Sequence, residues 1–358
     1  MRPIRHVSRF ALAFVPLALL PASALAMAAG MAPALAVLFP LAFLFGLVPL
    51  ADWALGRDCH NAPDDDALEN QLSFRLLTWL MVPAWLLHLA WSIHYVATLP
   101  MTWITAGLWI VSLGVVGGVA AINTAHELIH KSTRFEPLLG GLLLSSVIYA
   151  GFKVEHLRGH HVHVSTPRDT SSAFLGQSLY HFLPRALLGN ALHAWQLEAG
   201  RLRGRGRMAW LWRNELMGWY GLSALLALSC GLAWGWKAVA AFVVQGFIAA
   251  ITLEIINYIE HYGLQRRQLA TGHYERVTHH HSWNAAQRLT NSMLFQLQRH
   301  ADHHAHPRRR YQALRHYEDS PQLPAGYASM FVLALIPPLW RRVVDPRIHE
   351  WRHRQVQP

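Results

Sequence analysis

The sequence predicts an all-α integral membrane protein, a six-transmembrane-helix bundle with a histidine-rich site at one end. Three observations carry that reading. Of 358 residues, 53% are hydrophobic and only 14% charged, against about 25% charged in soluble domains, and the apolar residues are bunched into long stretches. Histidine occurs 24 times, and most copies stand in tight groups from His126 onward. The lysines and arginines fall almost entirely between particular apolar stretches, as in a membrane protein with a defined orientation.

A hydrocarbon core about 30 Å thick needs roughly 20 apolar residues per helix. Six stretches approach that length, at residues 9–29, 31–53, 76–98, 101–122, 215–234 and 237–258. The first follows Arg2, Arg5 and Arg9 and is trailed by Ala22, Ser23 and Ala24, a pattern that imitates a secretory signal peptide. Its apolar character continues past Ala24 into a second span, so the segment is expected to stay as a helix. Two runs, Leu138 to Phe152 and Tyr327 to Trp340, are too short to cross and are expected to dip into or lie against the membrane. Pro337 and Pro338 stop a regular helix in the second. No repeat or low-complexity linker divides the chain, and residues 1–358 read as one membrane-embedded domain. Cys59 and Cys230 form no CxxC pair, which excludes a disulfide framework and a zinc ribbon.

Eleven basic residues lie between Lys131 and Arg213 and fourteen between Arg266 and Arg354, whereas only Lys237 occupies the hairpin between spans five and six. The positive-inside rule then places both termini and the histidine groups in the cytoplasm. A pI of 10.2 describes a basic face beside anionic lipid or a docking face for an acidic partner. Nucleic acid fits poorly, because the arginines are scattered along membrane-bound segments. Arg201, Arg203, Arg205 and Arg207, interleaved with Gly204 and Gly206, read as a flexible basic loop at the phospholipid surface. The 15 tryptophans read as interface anchors and span packing.

Four histidine groups stand at the cytoplasmic edges of spans. His126 and His130 close span four, and a spacing of four puts both rings on one helix face. His156, His160 and His161 follow the first short run, with His156 and His160 again one turn apart. His261 ends span six, and His300, His303 and His304 offer spacings of three and four. These nine histidines can supply four or five neutral nitrogen ligands to each of two metal ions. Imidazole suits iron, copper, zinc and nickel alike, but a catalytic zinc needs only three protein ligands, so the number favours a dinuclear site. Carboxylates are expected on the outer ring N–H groups. Glu127, Glu155, Glu260 and Asp302 are the candidates, each pointing away from its sequence neighbour toward a histidine of another segment. His163 and His306 are near enough to play the same part.

Other classes compete for these residues. His126-Glu127-Leu-Ile-His130 is HExxH, the signature of a membrane zinc protease with Glu127 as base, but that reading leaves most later histidines idle. A proton or metal transporter needs ionisable residues along its spans, and here the spans are nearly free of acids away from their ends. His279, His280 and His281 read as a polar loop able to bind metal loosely.

At these motifs the sequence closely resembles the integral-membrane alkane hydroxylases, the alkane 1-monooxygenase branch of the membrane fatty acid desaturase and hydroxylase superfamily. The resemblance rests on HELIHK at 126–131, EHLRGHH at 155–161, NYIEHYGL at 257–264, HSWN at 281–284, LQRHADHHAHPRRRYQAL at 297–314 and the tail LPAGYASMFVLALIPPLW. It covers nearly the whole chain and is weakest over the first two spans; EHYGL sets alkane hydroxylases apart from ordinary desaturases. The resemblance implies a multi-pass protein of the cell inner membrane with a cytoplasmic non-haem di-iron site, two Fe ions in all. Its ligands carry over onto His126, His130, His156, His160, His161, His261, His300, His303 and His304. The implied reaction is O2-dependent terminal hydroxylation of medium- or long-chain alkanes to 1-alkanols, with electrons from rubredoxin, itself reduced by an NADH-dependent rubredoxin reductase. Iron–sulfur sites of the rubredoxin kind need four thiolates and the chain has two cysteines, so rubredoxin is expected as a separate chain. Ile129 in HELIH is also similar to xylene monooxygenase hydroxylase subunits, which keeps aromatic methyl hydroxylation, and desaturase-like chemistry, as alternatives.

Overall fold

The computed structural model describes residues 7–62, 66–204 and 213–356, and among them every regular element is helical. The chain begins with α1 (Val7–Ala28), α2 (Pro33–Leu55), α3 (Leu72–Thr98) and α4 (Trp103–Ile129), all long and apolar enough to cross a bilayer. Three helices outside the spans follow: α5 (Phe135–Ser146), α6 (Gly151–Glu155) and α7 (Leu179–Arg203). Two further spans, α8 (Glu215–Trp234) and α9 (Trp236–His261), form a hairpin turned by Gly235 alone at φ +79°. After them come α10 (Arg288–Met293), α11 (His300–Ala305), α12 (Tyr327–Ala334) and α13 (Pro337–Val356).

Polar caps set where helices start. Thr102 accepts the backbone N–H of Thr105 at 3.2 Å before α4, and Asn214 accepts that of Leu216 at 2.9 Å before α8. Hydrophobicity alone misplaces the other ends. The apolar runs at 101–122 and 237–258 stop where the polar residues begin, yet α4 and α9 carry on to Ile129 and His261. Those extra turns are what lift the histidines of both helices into the site.

Spans α4 and α9 pack closely because small residues let their backbones approach. A Cβ on Gly114 would lie 2.5 Å from Ile248 Cβ and 2.7 Å from the Gln245 carbonyl oxygen; one on Gly118 would lie 2.7 Å from Thr252 Cγ2. Around this pair the buried core gathers Trp85, Leu89, Trp109, Leu113, Val116, Phe242 and Ala249. The two indoles of this core are satisfied, Trp85 Nε1 donating to Ser146 Oγ at 2.8 Å and Trp109 Nε1 to the Ser92 carbonyl at 3.2 Å.

Three expectations change. Arg201 and Arg203, expected in a flexible basic loop, lie instead in the last turn of α7. Arg201 is held there by the fully buried Glu198 carboxylate, with Nε 2.7 Å from Oε2; Arg205 and Arg207 lie outside the described residues. The run 138–152 is two helices, broken where Ile148 takes φ +54°. Pro337 and Pro338 open α13 rather than only closing α12, since proline in the first turn lacks only an N–H that would be unpaired anyway.

Candidate metal centre

Four elements bring the nine histidines together: the end of α4, the turn after α6, the end of α9, and α11. The turn decides how they divide. His156–His160 forms a π-helical turn, whose i→i+5 hydrogen bonding aligns residues five apart instead of four. His156 therefore shares a face with His161, their Nε2 atoms 3.0 Å apart, while His160 is swung to the other side. Gly159 leaves room within this turn for the Glu155 carboxylate and the His193 ring, since a Cβ there would lie 2.4 Å from Glu155 Oε1 and displace it.

Two nitrogen-rich sets result. His126, His130, His156, His161 and His303 form one, and His160, His261, His300 and His304 the other; within each, a ligand atom from every ring lies within 4.8 Å of the rest. Separations of Nε2 from Nε2 are 3.0 Å for His130–His156, 3.2 Å for His161–His303, 3.3 Å for His160–His304 and 2.9 Å for His300–His304. Nitrogens bound to one metal at about 2.0–2.1 Å stand roughly 3 Å apart. The Nε2 atoms of His126 and His261 are buried without a hydrogen-bond partner among the described residues. A neutral ring has one donor and one acceptor nitrogen, so N–H···N pairs can satisfy some of these contacts but leave His126 and His261 Nε2 unpartnered, whereas a cation at the centre of each set takes a lone pair from every ring; the donor set fits two metal ions.

The carboxylates divide unexpectedly. Glu260 Oε2 lies 3.2 Å from His300 Nε2, on the side where that ring faces the other three of its set. Glu155 accepts from His193 Nδ1 on α7 at 3.2 Å, a histidine outside both sets. Glu127 pairs with Lys131 Nζ at 2.8 Å and accepts the Tyr311 N–H at 3.3 Å. Asp302 accepts from Arg309 at 2.6 and 2.8 Å and from the Arg315 N–H at 2.9 Å. The expectation that Glu127, Glu155 and Asp302 hold the outer N–H groups of metal-facing rings is thus corrected, because nearer cations, backbone donors and His193 claim them first.

The carboxylate that does hold such a ring is Asp169, with Oδ2 3.0 Å from His160 Nδ1. Its own place is set by Ser172 Oγ at 2.6 Å and the Ser171 N–H at 3.0 Å. Burial raises its pKa, but the hydrogen bonds from His160 and Ser172 help to outweigh that and hold it below the ordinary carboxylate range. On the opposite flank Ser282 Oγ lies 3.4 Å from His261 Nδ1. Asp169 sits in an irregular segment with no motif spacing, so nothing in the sequence marked it. Ser282 belongs to HSWN, whose neighbours staple the site together. Trp283 N–H donates to the Glu260 carbonyl at 2.8 Å, and Asn284 Oδ1 accepts the Ala301 N–H at 3.0 Å. His163 and His306 join neither set.

A cavity with about 840 Å3 of free space, counting its open mouth, reaches the histidines. His126, His156, His300, Glu260, Asn123 and Asn257 line its polar end, and Leu44, Phe45, Val48, Leu253, Met293 and Phe331 are among its apolar walls.

The family model for fatty acid desaturase matches residues 101–334. The chain is 52% identical over 316 residues to alkane 1-monooxygenase 2 of Alcanivorax borkumensis, covering 87% of this chain and 83% of the relative. The chain belongs to the alkane 1-monooxygenases of the fatty acid desaturase family. An alkane 1-monooxygenase 2 of Pseudomonas aeruginosa is likewise 52% identical, over 87% of this chain and 84% of that protein. The xylene/toluene monooxygenase hydroxylase component of Pseudomonas putida is more distant, 28% identical over 70% of this chain and 66% of its own length. Membership in this enzyme family takes HExxH at 126–130 away from the protease reading, and Glu127, pinned by Lys131, is not poised as a free base.

Proposed function

We propose that the protein inserts one oxygen atom of O2 into a terminal C–H bond of a medium- or long-chain alkane, giving the 1-alkanol, while two electrons and two protons carry the other oxygen atom into water. The observation that supports this most directly is an apolar cavity whose polar end is lined by His126, His156 and His300. Most of its wall is aliphatic or aromatic, so a hydrocarbon chain is held there chiefly by burial, at about 0.8 kcal/mol per buried CH2. The five-histidine set holds one iron and the four-histidine set the other, with Glu260 beside the latter. Two irons, when bound, supply O2 activation and take up the incoming electrons.

The chain's own groups do the remaining work. Asp169 orients His160, Ser282 approaches His261, and the aliphatic walls keep water from the reacting methyl group. Electrons come from rubredoxin on a separate chain, recharged by an NADH-dependent rubredoxin reductase. The one-sided distribution of lysine and arginine supports an inner-membrane orientation with the metal site and both termini in the cytoplasm.

The test is oxidation of decane under 18O2 by purified, iron-loaded protein with rubredoxin, its reductase and NADH. Labelled 1-decanol and about two irons per chain are expected. Zinc in place of iron, or an unlabelled product, would overturn the reading. Running xylene beside decane decides the second reading, aromatic methyl hydroxylation, which the 28% identity to the xylene/toluene enzyme keeps open.

A further inference from the structure

We infer that His279, His280 and Asp319 form a third metal site, separate from the nine-histidine centre and open to solvent, that takes a divalent transition cation of the zinc type. The Nε2 atoms of His279 and His280 approach the same carboxylate oxygen, Asp319 Oδ2, at 3.0 and 3.4 Å. Ligand atoms held tetrahedrally at about 2.0–2.1 Å from zinc are separated by roughly 3.3 Å, so each nitrogen already stands near that spacing from the oxygen, and a ligand atom from each of the three residues lies within 4.8 Å of the others. Two imidazole nitrogens converging on one carboxylate oxygen make a donor set of two nitrogens and an oxygen. Imidazole with carboxylate suits zinc, nickel and copper.

The rings are braced for this arrangement. His279 stacks on Tyr317, with centroids 4.3 Å apart and planes 15° from parallel, and His280 lies edge-on to Trp351 at 5.5 Å. The two imidazoles stand at 72° to each other, so their lone pairs arrive from different directions. Their side chains are 25% and 32% exposed and that of Asp319 is 68% exposed, which leaves a side open for water to complete the coordination. The third histidine of the run is turned elsewhere: His281 Nδ1 accepts the Thr278 N–H at 3.0 Å and its Nε2 faces Glu275 at 3.3 Å. The site is nevertheless tied to the main centre, because the Tyr317 hydroxyl donates to Asp302 Oδ1 at 3.2 Å, and Asp302 lies on α11 between His300 and His303. A cation here joins the 278–280 turn to the 317–319 segment just outside α11.

The test uses full-length, iron-loaded enzyme in lipid nanodiscs, dialysed to equilibrium against micromolar Zn2+, with zinc and iron both counted per chain. Wild type is expected to hold one more zinc than either the His279→Ala/His280→Ala double variant or Asp319→Asn, with iron equal in all three. Co2+ in place of Zn2+ should show a visible ligand-field band that both variants lose. Equal zinc in wild type and Asp319→Asn, a change small enough to preserve the fold, would show an ordinary ion pair and overturn the site. So would extra zinc matched by iron loss to the same extent in all three proteins, since that is displacement at the main centre.

Discussion

His160 Nδ1 and Asp169 Oδ2 lie 3.0 Å apart, and this contact orients a ring that the π-helical turn has already separated from its neighbours His156 and His161. An ionised carboxylate behind a metal-facing imidazole fixes the tautomer and makes the ring a better ligand. Asp169→Asn keeps the size and removes the charge. A loss of about 10–100-fold in iron affinity or alkane oxidation is expected, read by metal analysis and product formation, with helicity unchanged. Wild-type iron content and turnover would remove Asp169 from the centre.

His261 is the single histidine contributed by α9, and its ring centroid lies 4.8 Å from that of His160, 5.2 Å from His300 and 4.9 Å from His304. Replacing it with alanine should abolish alkane oxidation and lower bound iron. His281→Ala, in a ring committed to Thr278 and Glu275, should leave substantial activity. Comparable activity in both variants would sink the four-histidine set.

Gly114 meets α9 at the Ile248 Cβ and the Gln245 carbonyl, neither of which can swing aside as a side-chain tip can. Gly114→Ala should therefore destabilise the bundle by about 1–3 kcal/mol, the usual range for overpacking. A lowered thermal midpoint in detergent is the readout, and a midpoint equal to wild type would mean that the two helices separate at little cost.

Glu136 is fully buried and ties α5 to Arg310 at 2.9 and 3.0 Å. Burial raises its pKa, but Arg310 and Thr133 outweigh that and hold it down to about 2, from an ordinary value of 4.5. A depressed carboxylate stabilises the fold fully above its unfolded value, and that contribution fades as pH falls from about 4.5 toward 2. Acid titration of stability should be shallower across that window in Glu136→Gln than in wild type.

The basic faces predict a salt-sensitive redox encounter. Docking of opposite charges accelerates association and weakens with ionic strength. Rubredoxin-dependent turnover should fall between low salt and about 0.5 M, where the screening length is a few Å. Indifference to salt would count against charge-guided docking and leave the chemistry untouched.

By itself the sequence determined the spans, the nine clustered histidines as a group, and the family, because bilayer thickness demands long apolar runs and metal chemistry demands clustered imidazoles; both are local and leave a mark in spacing. Only the tertiary structure decided how those histidines divide. Spacing four suggested His156 with His160, whereas a backbone turn of i→i+5 type pairs His156 with His161 and sends His160 across. Backbone register of that kind depends on the packing around the turn, including the room left by Gly159 beside Glu155 and His193. The same holds for the carboxylates. Which acid reaches a ring is settled by long-range folding, and it chose Asp169 from an irregular segment while lysine, arginine, His193 and backbone donors captured Glu127, Asp302 and Glu155. Residue type is written along the chain, but the partner of a buried charge is whichever group the fold places within about 3 Å of it.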